Sequence, residues 1–436
     1  MPASPEQDAD ALFLGVDMGT SGIRACACTK EGQIAANVAI PLTAPQSSGK
    51  TVQQHPALWW QALQTLFAKL SQRIELARVA CISIDGTSGT VVYCDPQGEP
   101  LHEALMYNDR RSDAEARQIA HAAPKTSGAH GAHSGLAKYL WLKARYGDNG
   151  HIFNQADWLV YKFSGHLGSS DENNCLKLGY DVLERCWPAW LSELDIDSGH
   201  LPEVVAPGTA ITSLQRETLG LKAGTLIRAG TTDSIAATLA AGVTQTGEAV
   251  TSLGSTLAVK IIADKPVFAP QFGVYSHRLG DTWLCGGASN SGGRVLRHFF
   301  NDAEMAAMTP QLHPDTLLNL GYYPLIEQGE RFPVYDPQLT PKLTPRPQNN
   351  IDFFQALLEG IADIEERAYH CLHELGAPYP DRIYSSGGGA RNSQWQQIRE
   401  TKLGVPCSNA TQQDAAYGAA LIAAQAIPLL SKKETA

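Results

Sequence analysis

The chain lacks an apolar run approaching the roughly 18–20 residues that cross a bilayer. It also lacks a Cys-x-x-Cys pair. Its nine cysteines are odd in number and scattered, which fits buried, reduced thiols of a cytosolic protein rather than a zinc or dithiol centre. No Gly-x-x-x-x-Gly-Lys-Ser/Thr phosphate loop occurs, and no Gly-x-Gly-x-x-Gly dinucleotide fingerprint. Positive charge is scarce: 34 Lys and Arg stand against 44 Asp and Glu, a net charge of -10. That argues against binding nucleic acid, which needs Lys and Arg clusters, but a nucleotide ligand needs only a local phosphate cradle. The segment Met1 to Asp8 is acidic, with no basic stretch followed by an apolar one, so neither a signal nor a transit peptide is expected. A cytoplasmic protein without membrane or nucleic-acid partners is the expectation; the oligomeric state stays open.

What is present is the composition of a globular enzyme, 43% hydrophobic and 18% charged over 436 residues, enough for two domains. Residues 1–11 read as a frayed tail. Leu12 to Val16 is a short apolar run ending at Asp17, Gly19-Thr20-Ser21-Gly22 has turn chemistry, and Ile23 to Cys28 alternates as a strand does. Cys26 and Cys28 share one face of it. Gln33 to Ile40 reads as a third strand. Pro56 opens a helix to about Ile74, with Leu58, Ala62, Leu66 and Leu70 at spacing four. Val79 to Ile84 is a buried strand ending at Asp85.

A similar plan returns later: strand Glu248 to Leu253, turn Gly254-Ser255-Thr256, strand Leu257 to Ile262. The repetition suggests a duplication, with a first domain over 12–229 and a second over 230–425. The Pro-rich, aperiodic region 303–350 reads as a surface excursion. Phe353 to Leu375 is a long amphipathic helix whose stripe includes Phe354, Leu357, Leu358, Ile361, Ala368, Cys371 and Leu372, with Gly376 as its cap. Arg382 to Ser386 is a strand, Asn392 or Ser393 caps the next helix, and Asp414 to Ala424 is a last helix of small residues. Strands alternating with helices give an α/β class.

Four turns carry candidate chemistry. In Gly15-Val16-Asp17-Met18-Gly19-Thr20-Ser21-Gly22 a strand delivers a carboxylate into a turn of Gly and hydroxyl residues. Backbone N–H groups there can face phosphate oxygens, and Asp17 can orient a metal or a sugar hydroxyl; equally, Asp17 can cap its own hairpin. In Ala229-Gly230-Thr231-Thr232-Asp233-Ser234 an Asp stands at a helix start, where it fits a general base or an ordinary N-cap. Gly254-Ser255-Thr256 is the partner turn of the second half. Ser385 to Asn392 contains Gly387-Gly388-Gly389, which lets a planar or phosphate ligand approach the backbone, or simply makes a tight turn. Two clusters read better as structure than as sites: His121, His130 and His133 lie in a Gly/Ala/Ser-rich loop without supporting carboxylates, and Trp59-Trp60 starts an amphipathic helix.

In their order and spacing these turns resemble the phosphate and adenosine motifs of the superfamily that unites actin, sugar kinases and heat-shock chaperones. Within it the chain resembles the FGGY carbohydrate kinases over about residues 12–425. Lys138-Tyr139-Leu140-Trp141-Leu142 matches part of their first signature, with Gly135 where the signature has Pro, Ser or Thr; Glu359-Gly360-Ile361-Ala362 resembles the start of the second. The runs Ile84 to Val91, Gln155 to Leu159, Leu176 to Tyr180, Gly273 to Asp281 and Gly286 to Asn290 resemble the short D-ribulose kinases of cyanobacteria and plants.

The resemblance implies two actin-like, ribonuclease H-like domains with an interdomain cleft that closes on its ligands. It implies ATP-dependent phosphorylation of a ketopentose, D-ribulose first and D-xylulose or another pentulose or polyol as the alternative. Asp17, Thr20, Ser21, Ser88 and Asp233 would bind the sugar, with Asp233 as the base. Gly254, Ser255, Thr256, Gly387, Gly388, Gly389 and Asn392 would lie along ATP. Mg²⁺ would be steered by Asp17, directly or through water. An actin-like module that binds ATP without transferring phosphate would keep the glycine cradle but would not need Ser88 and Asp233.

Overall fold

The structure, a computed structural model, describes residues 10–430. Residues 1–9 of the expected tail lie outside them, and Ala11 is buried. The chain divides into two compact units. One holds the described residues up to Ala240, the short stretch Arg278–Gly280, and the residues from Asp414 onward; the other holds Ala241–His277 and Asp281–Gln413. The units therefore interleave along the chain, where the sequence pattern suggests two consecutive segments.

The first unit is built on a six-stranded sheet. Strands β1 (Leu12–Met18), β2 (Gly22–Cys28) and β3 (Ile34–Pro41) form an antiparallel meander. On the other side of β1 lie β4 (Val79–Gly86) and then β5 (Leu226–Arg228), both parallel to it in direction. All seven residues of β1 are buried because both faces of the sheet are covered. Leu12, Leu14, Val16 and Met18 face a core shared with helix α1 (Pro56–Leu70). Phe13 faces the other way, with Cys26, Cys28 and Cys81. Helix α1 buries Trp59, Ala62, Leu63, Leu66, Phe67 and Leu70, whereas Leu58 is 36% exposed. Spacing four alone misplaces the stripe, because each step of four drifts about 40° around a helix of 3.6 residues per turn. The helix also stops at Leu70, four residues short of the expected Ile74. Trp59 sits in this core, its indole N–H donating to Gln54 at 2.6 Å and its ring edge-on to Trp158. Helix α2 (Asp233–Ala240) follows β5.

The second unit repeats the plan. Strands β6 (Glu248–Leu253), β7 (Leu257–Ala263) and β8 (Thr282–Ala288) lie side by side and antiparallel, with the edge strand Tyr275–Leu279 between β7 and β8 in the chain; β9 (Arg382–Ser386) and β10 (Cys407–Asn409) extend the sheet in parallel from β6. The spatial order of these five strands matches that of β1 to β5, the geometric form of the duplication that the two Gly/Ser/Thr turns suggest. Helix α3 (Asn350–Glu374) crosses this unit, ending at Leu375 before Gly376, whose φ of +109° suits a glycine C-cap.

Region 303–350 is largely exposed, as expected of a surface excursion, but it is anchored to the second unit's core at several points. Residues Asp302–Met308 are helical, and Met308, Leu312, Tyr322, Tyr323 and Leu325 join the core around α3. Buried side chains of α3 supply what such a loop needs: Gln355 accepts from the His313 N–H, and Glu359 from those of Leu318 and Asn319. Gly360 leaves room for Tyr322 and Pro324, whose atoms lie 2.9 Å from where its Cβ would be. Helix α4 (Ser393–Leu403) is capped by Asn392. The last helix, α5 (Ala415–Ala423), belongs to the first unit and packs its alanines against Phe13, Cys26 and Cys81.

Candidate active site

Three parallel strands of the first unit end side by side. In register, Asp17 on β1 lies opposite Asp85 on β4, and Gly86 pairs with Thr232, the residue before Asp233. The carboxyl ends of parallel strands in α/β sheets are where ligands bind. The hairpin turn after Asp17 is closed by the Gly19 N–H donating to Gly22 O at 3.0 Å, with Thr20 and Ser21 at its tip. That closure fixes the antiparallel register and sets Arg24 opposite Asp17, so that the guanidinium donates to Asp17 Oδ2 at 2.8 Å.

The charge balance here is unusual. Asp17 is 4% exposed and Asp85 fully buried. Asp17 Oδ1 and both oxygens of Asp85 are buried without a hydrogen-bond donor. Burial raises the Asp17 carboxyl above its ordinary range, opposed by Asp85 and Arg24. Asp85 is pushed well above the carboxylate range by burial first, then by Asp17, Asp233 and Asp414. Both shifts run upward because burial penalises the charged form of each carboxyl. Asp414, the N-cap of α5, completes the acidic group. Asp233 opens α2, half-buried, with Oδ1 accepting from the Ser234 N–H at 2.6 Å.

Ser88 sits in a four-residue turn after β4, closed by the Thr90 N–H donating to Thr87 O at 3.1 Å. Gly89 takes φ +82° there, which a side chain would resist. Ser88 Oγ is buried and unpartnered. The turn is gripped from behind. Lys138, 0% exposed, donates to Gly89 O at 2.7 Å and to the carbonyls of Met106, Tyr107 and His133; Lys177 donates to Ser88 O at 3.3 Å. Burial lowers the Lys138 ammonium to about 7. Thus the Lys of the first signature acts as a clamp on the turn that carries Ser88.

In the second unit, the turns after β6 and β9 are neighbours, because β6 and β9 pair directly, Ser252 opposite Ser386. Gly254 and Ser255 offer their carbonyls to the N–H groups of Gly293 and Arg294. A Cβ at Gly387 would lie 2.9 Å from Leu253, and at Gly389 2.5 Å from Trp395, so those glycines are required by packing; a Cβ at Gly388 would meet nothing within 4 Å. Asn392 is committed to its helix: Oδ1 accepts from the Trp395 N–H at 2.9 Å and Nδ2 donates to Thr309 at 3.2 Å. Beneath the two turns, Glu365 and Arg399 form a buried pair, with Thr251 and Ser385 completing the network.

The structure thus gathers Asp17, Thr20, Ser21, Ser88 and Asp233 at one end of the first sheet. It gathers Gly254, Ser255, Thr256 and Gly387 to Asn392 at the corresponding end of the second. Asp85, Arg24 and Asp414 were missed. Arg24 is recoverable from the hairpin register; an Asp in a wholly buried strand flags Asp85; Asp414, some 400 residues from Asp17 in the chain, has no local signal. The three histidines do not share one loop: His121 lies on the helix Asp113–Ala122 and hydrogen-bonds to the Arg117 carbonyl, while His130 hydrogen-bonds to that of Pro124. Among the described residues no helix is long and apolar enough to cross a membrane.

Known proteins bear on this arrangement. The model for the FGGY family of carbohydrate kinases, N-terminal domain, matches residues 12–240, and that for the C-terminal domain matches residues 249–427. A xylulose kinase from Staphylococcus xylosus is 23% identical over 95% of this chain and 90% of its own, and a gluconokinase from Bacillus subtilis is 25% identical over 91% and 84%. Among solved structures, a xyloylose kinase from Brucella ovis superimposes with a TM-score of 0.86 at 22% identity, covering 97% of this chain and 91% of that one. A glycerol kinase from Plasmodium falciparum with ADP gives 0.83 at 16% identity, covering 95% and 89%. The fold is that of these two-domain kinases, and the chain belongs to the FGGY family of carbohydrate kinases, ATP-dependent enzymes that phosphorylate sugars.

Proposed function

We propose that this sugar kinase phosphorylates a ketopentose, with D-ribulose as the preferred acceptor and Asp233 as the general base. The observation that carries the reading is the run of unsatisfied polar atoms at the ends of β1 and β4: Asp17 Oδ1, both Asp85 oxygens and Ser88 Oγ, all buried without partners. Buried polar groups are nearly always paired, so their partners are to be sought in a ligand rich in hydroxyls. The D-ribulose preference rests on the resemblance of the runs from Ile84, Gln155 and Leu176. A second acceptor, D-xylulose, is favoured by the relatives named xylulose kinase.

In this reading Asp17, Thr20, Ser21 and Ser88 orient the sugar. Asp233 accepts the proton of the attacking hydroxyl, whose oxygen bonds to the γ-phosphorus of ATP while ADP departs with the electrons of the broken P–O bond. Proton acceptance contributes on the order of 10²–10⁴-fold, so alignment and charge neutralisation supply the rest. ATP lies against Gly254 to Thr256 and Gly387 to Gly389, with Asn392 shaping the cradle through its helix cap.

Mg²⁺ fits the orphaned Asp17 oxygen. No group of three or more ligating side chains that could hold a metal exists among the described residues, which suits an ion that arrives with nucleotide phosphates and keeps most of its waters. Asp17 would hold it, and the ion would supply charge neutralisation at the phosphates. The test is a panel of pentuloses and polyols assayed with MgATP on the native enzyme and on Asp233→Asn. The expected result is highest kcat/KM for D-ribulose and a fall in kcat of at least about 100-fold in Asp233→Asn, with sugar affinity retained. Near-native kcat in that variant rules out Asp233 as the base. A higher kcat/KM for D-xylulose moves the acceptor to the second reading.

A further inference from the structure

We infer that Gln155 is a further sugar-binding residue of this kinase, donating its side-chain N–H to one oxygen of the pentulose while its carbonyl holds the turn that presents Ser88. The inference rests on the placement of the sugar at that turn. Gln155 starts the helix Gln155–Ser164 and is 1% exposed. Its Oε1 accepts from the Thr87 backbone N–H at 3.0 Å and from Thr87 Oγ1 at 2.7 Å. The backbone N–H can only donate, so the amide cannot be turned end for end without losing that bond. Its own N–H donates to Thr90 O at 3.1 Å, so one residue ties both ends of the turn.

This orientation leaves Nε2 with two protons to donate, buried, and with no partner. A clamp would need only the carbonyl. A buried amide nitrogen left unpaired calls for an explanation, and a ligand that supplies an acceptor is one. Of the unpartnered atoms at this end of the sheet, Asp17 Oδ1 and the Asp85 oxygens can accept and Ser88 offers a single hydroxyl. A sugar hydroxyl both donates and accepts, so it can give its proton to a carboxylate and take one from Gln155. Gly86 fits the arrangement: a Cβ there would lie 3.2 Å from Gln155 Oε1 and 3.3 Å from the Ala156 N. With Lys138 and Lys177 holding the turn's carbonyls, the donor is fixed before the sugar arrives, which is what discrimination between hydroxyl patterns requires.

The test uses the full chain with two substitutions and the pentulose analogues that each lack one oxygen. Gln155→Glu keeps the acceptor for Thr87 and replaces the donor at pH 8; Gln155→Met keeps the length and removes both. Sugar affinity is read by calorimetry without nucleotide, and kcat/KM by coupled assay. Both variants should bind the pentulose at least about tenfold more weakly, with KM for ATP unchanged. For one analogue, the one lacking the oxygen that Gln155 meets, the variants should lose nothing further relative to the native enzyme. Native pentulose affinity in Gln155→Glu overturns the inference. So does an equal loss across every analogue, which marks a positioning role alone. Should Gln155→Met fail to fold, Gln155→Glu decides. Ser88→Ala separates the two readings: if it binds sugar normally while the Gln155 variants do not, the Ser88 assignment fails and Gln155 stands.

Discussion

Gly418→Ala should weaken the first unit and lower turnover, although alanine is the better helix former. Gly418 lies mid-way along α5, and a Cβ there would come within 1.9 Å of Ala236 O on α2. Ordinary contact begins near 3.4 Å, so the two helices must part by roughly 1.5 Å. The neighbour is backbone, which cannot swing aside as a flexible side chain could. Helix propensity favours the substitution by about 1 kcal/mol, and overpacking of this kind costs about 1–3 kcal/mol or more, so the steric term wins. The α2 helix begins at Asp233, the proposed general base, and a shift of about 1 Å in such a group can cost on the order of 10²-fold. Thermal unfolding and kcat on the same preparation form the assay. A Gly418→Ala enzyme with native Tm and native kcat refutes the reasoning.

Three further outcomes are expected. Gly388→Val should leave Tm unchanged, since nothing lies within 4 Å of its Cβ, yet weaken ATP more than sugar; unchanged nucleotide affinity by calorimetry removes the turn from the ATP site. Arg399→Met should destabilise the second unit by about 3–5 kcal/mol in denaturant titration, because it leaves Glu365 buried and uncompensated; a loss under about 1 kcal/mol contradicts this. Burial raises Glu172 from 4.5 to about 7, against the pull of Arg185 and Arg278. Stability from a raised carboxyl is full below the unfolded value and is lost as pH rises through about 7. Glu172→Gln should therefore gain on the native protein between pH 5 and pH 8, by at most about 3 kcal/mol; a Tm difference that is flat with pH shows that Glu172 is not the group responsible.

Local chemistry made much of this legible. The Gly19–Gly22 turn, the alternation of β2 and the stripe of α3 each express a short-range rule; β2 starts one residue before expectation, and α3 starts three residues early and ends one short. The upward shift of Asp85 was not legible, since it depends on burial and then on Asp17 from one strand, Asp233 from a helix and Asp414 from the far end of the chain. The anchoring of region 303–350 was also hidden: prolines and aperiodicity mark irregular backbone, but only Gln355 and Glu359 of α3 reveal where that backbone is tied to the core. Asn392 shows the converse, a residue expected along a ligand whose side chain is occupied by its own helix.

The last helix has a consequence for how the protein is made. Gly15 has no room for a side chain because α5 rests on it: a Cβ would lie 2.0 Å from Ala416 O. Yet roughly 170 residues separate α2 from α5, nearly all of them belonging to the second unit. At about 5–20 residues per second, a ribosome takes roughly 10–35 s to bridge that interval. During that time Phe13, Cys26 and Cys81 have no cover, and the nascent first unit presents an open apolar sheet face. Vectorial folding is therefore denied to the N-terminal half: it must wait as a sticky intermediate, a natural client for a holdase, until the final helix emerges. A premature stop codon just upstream of Asp414 would spare most of the second unit's sequence and ruin the first.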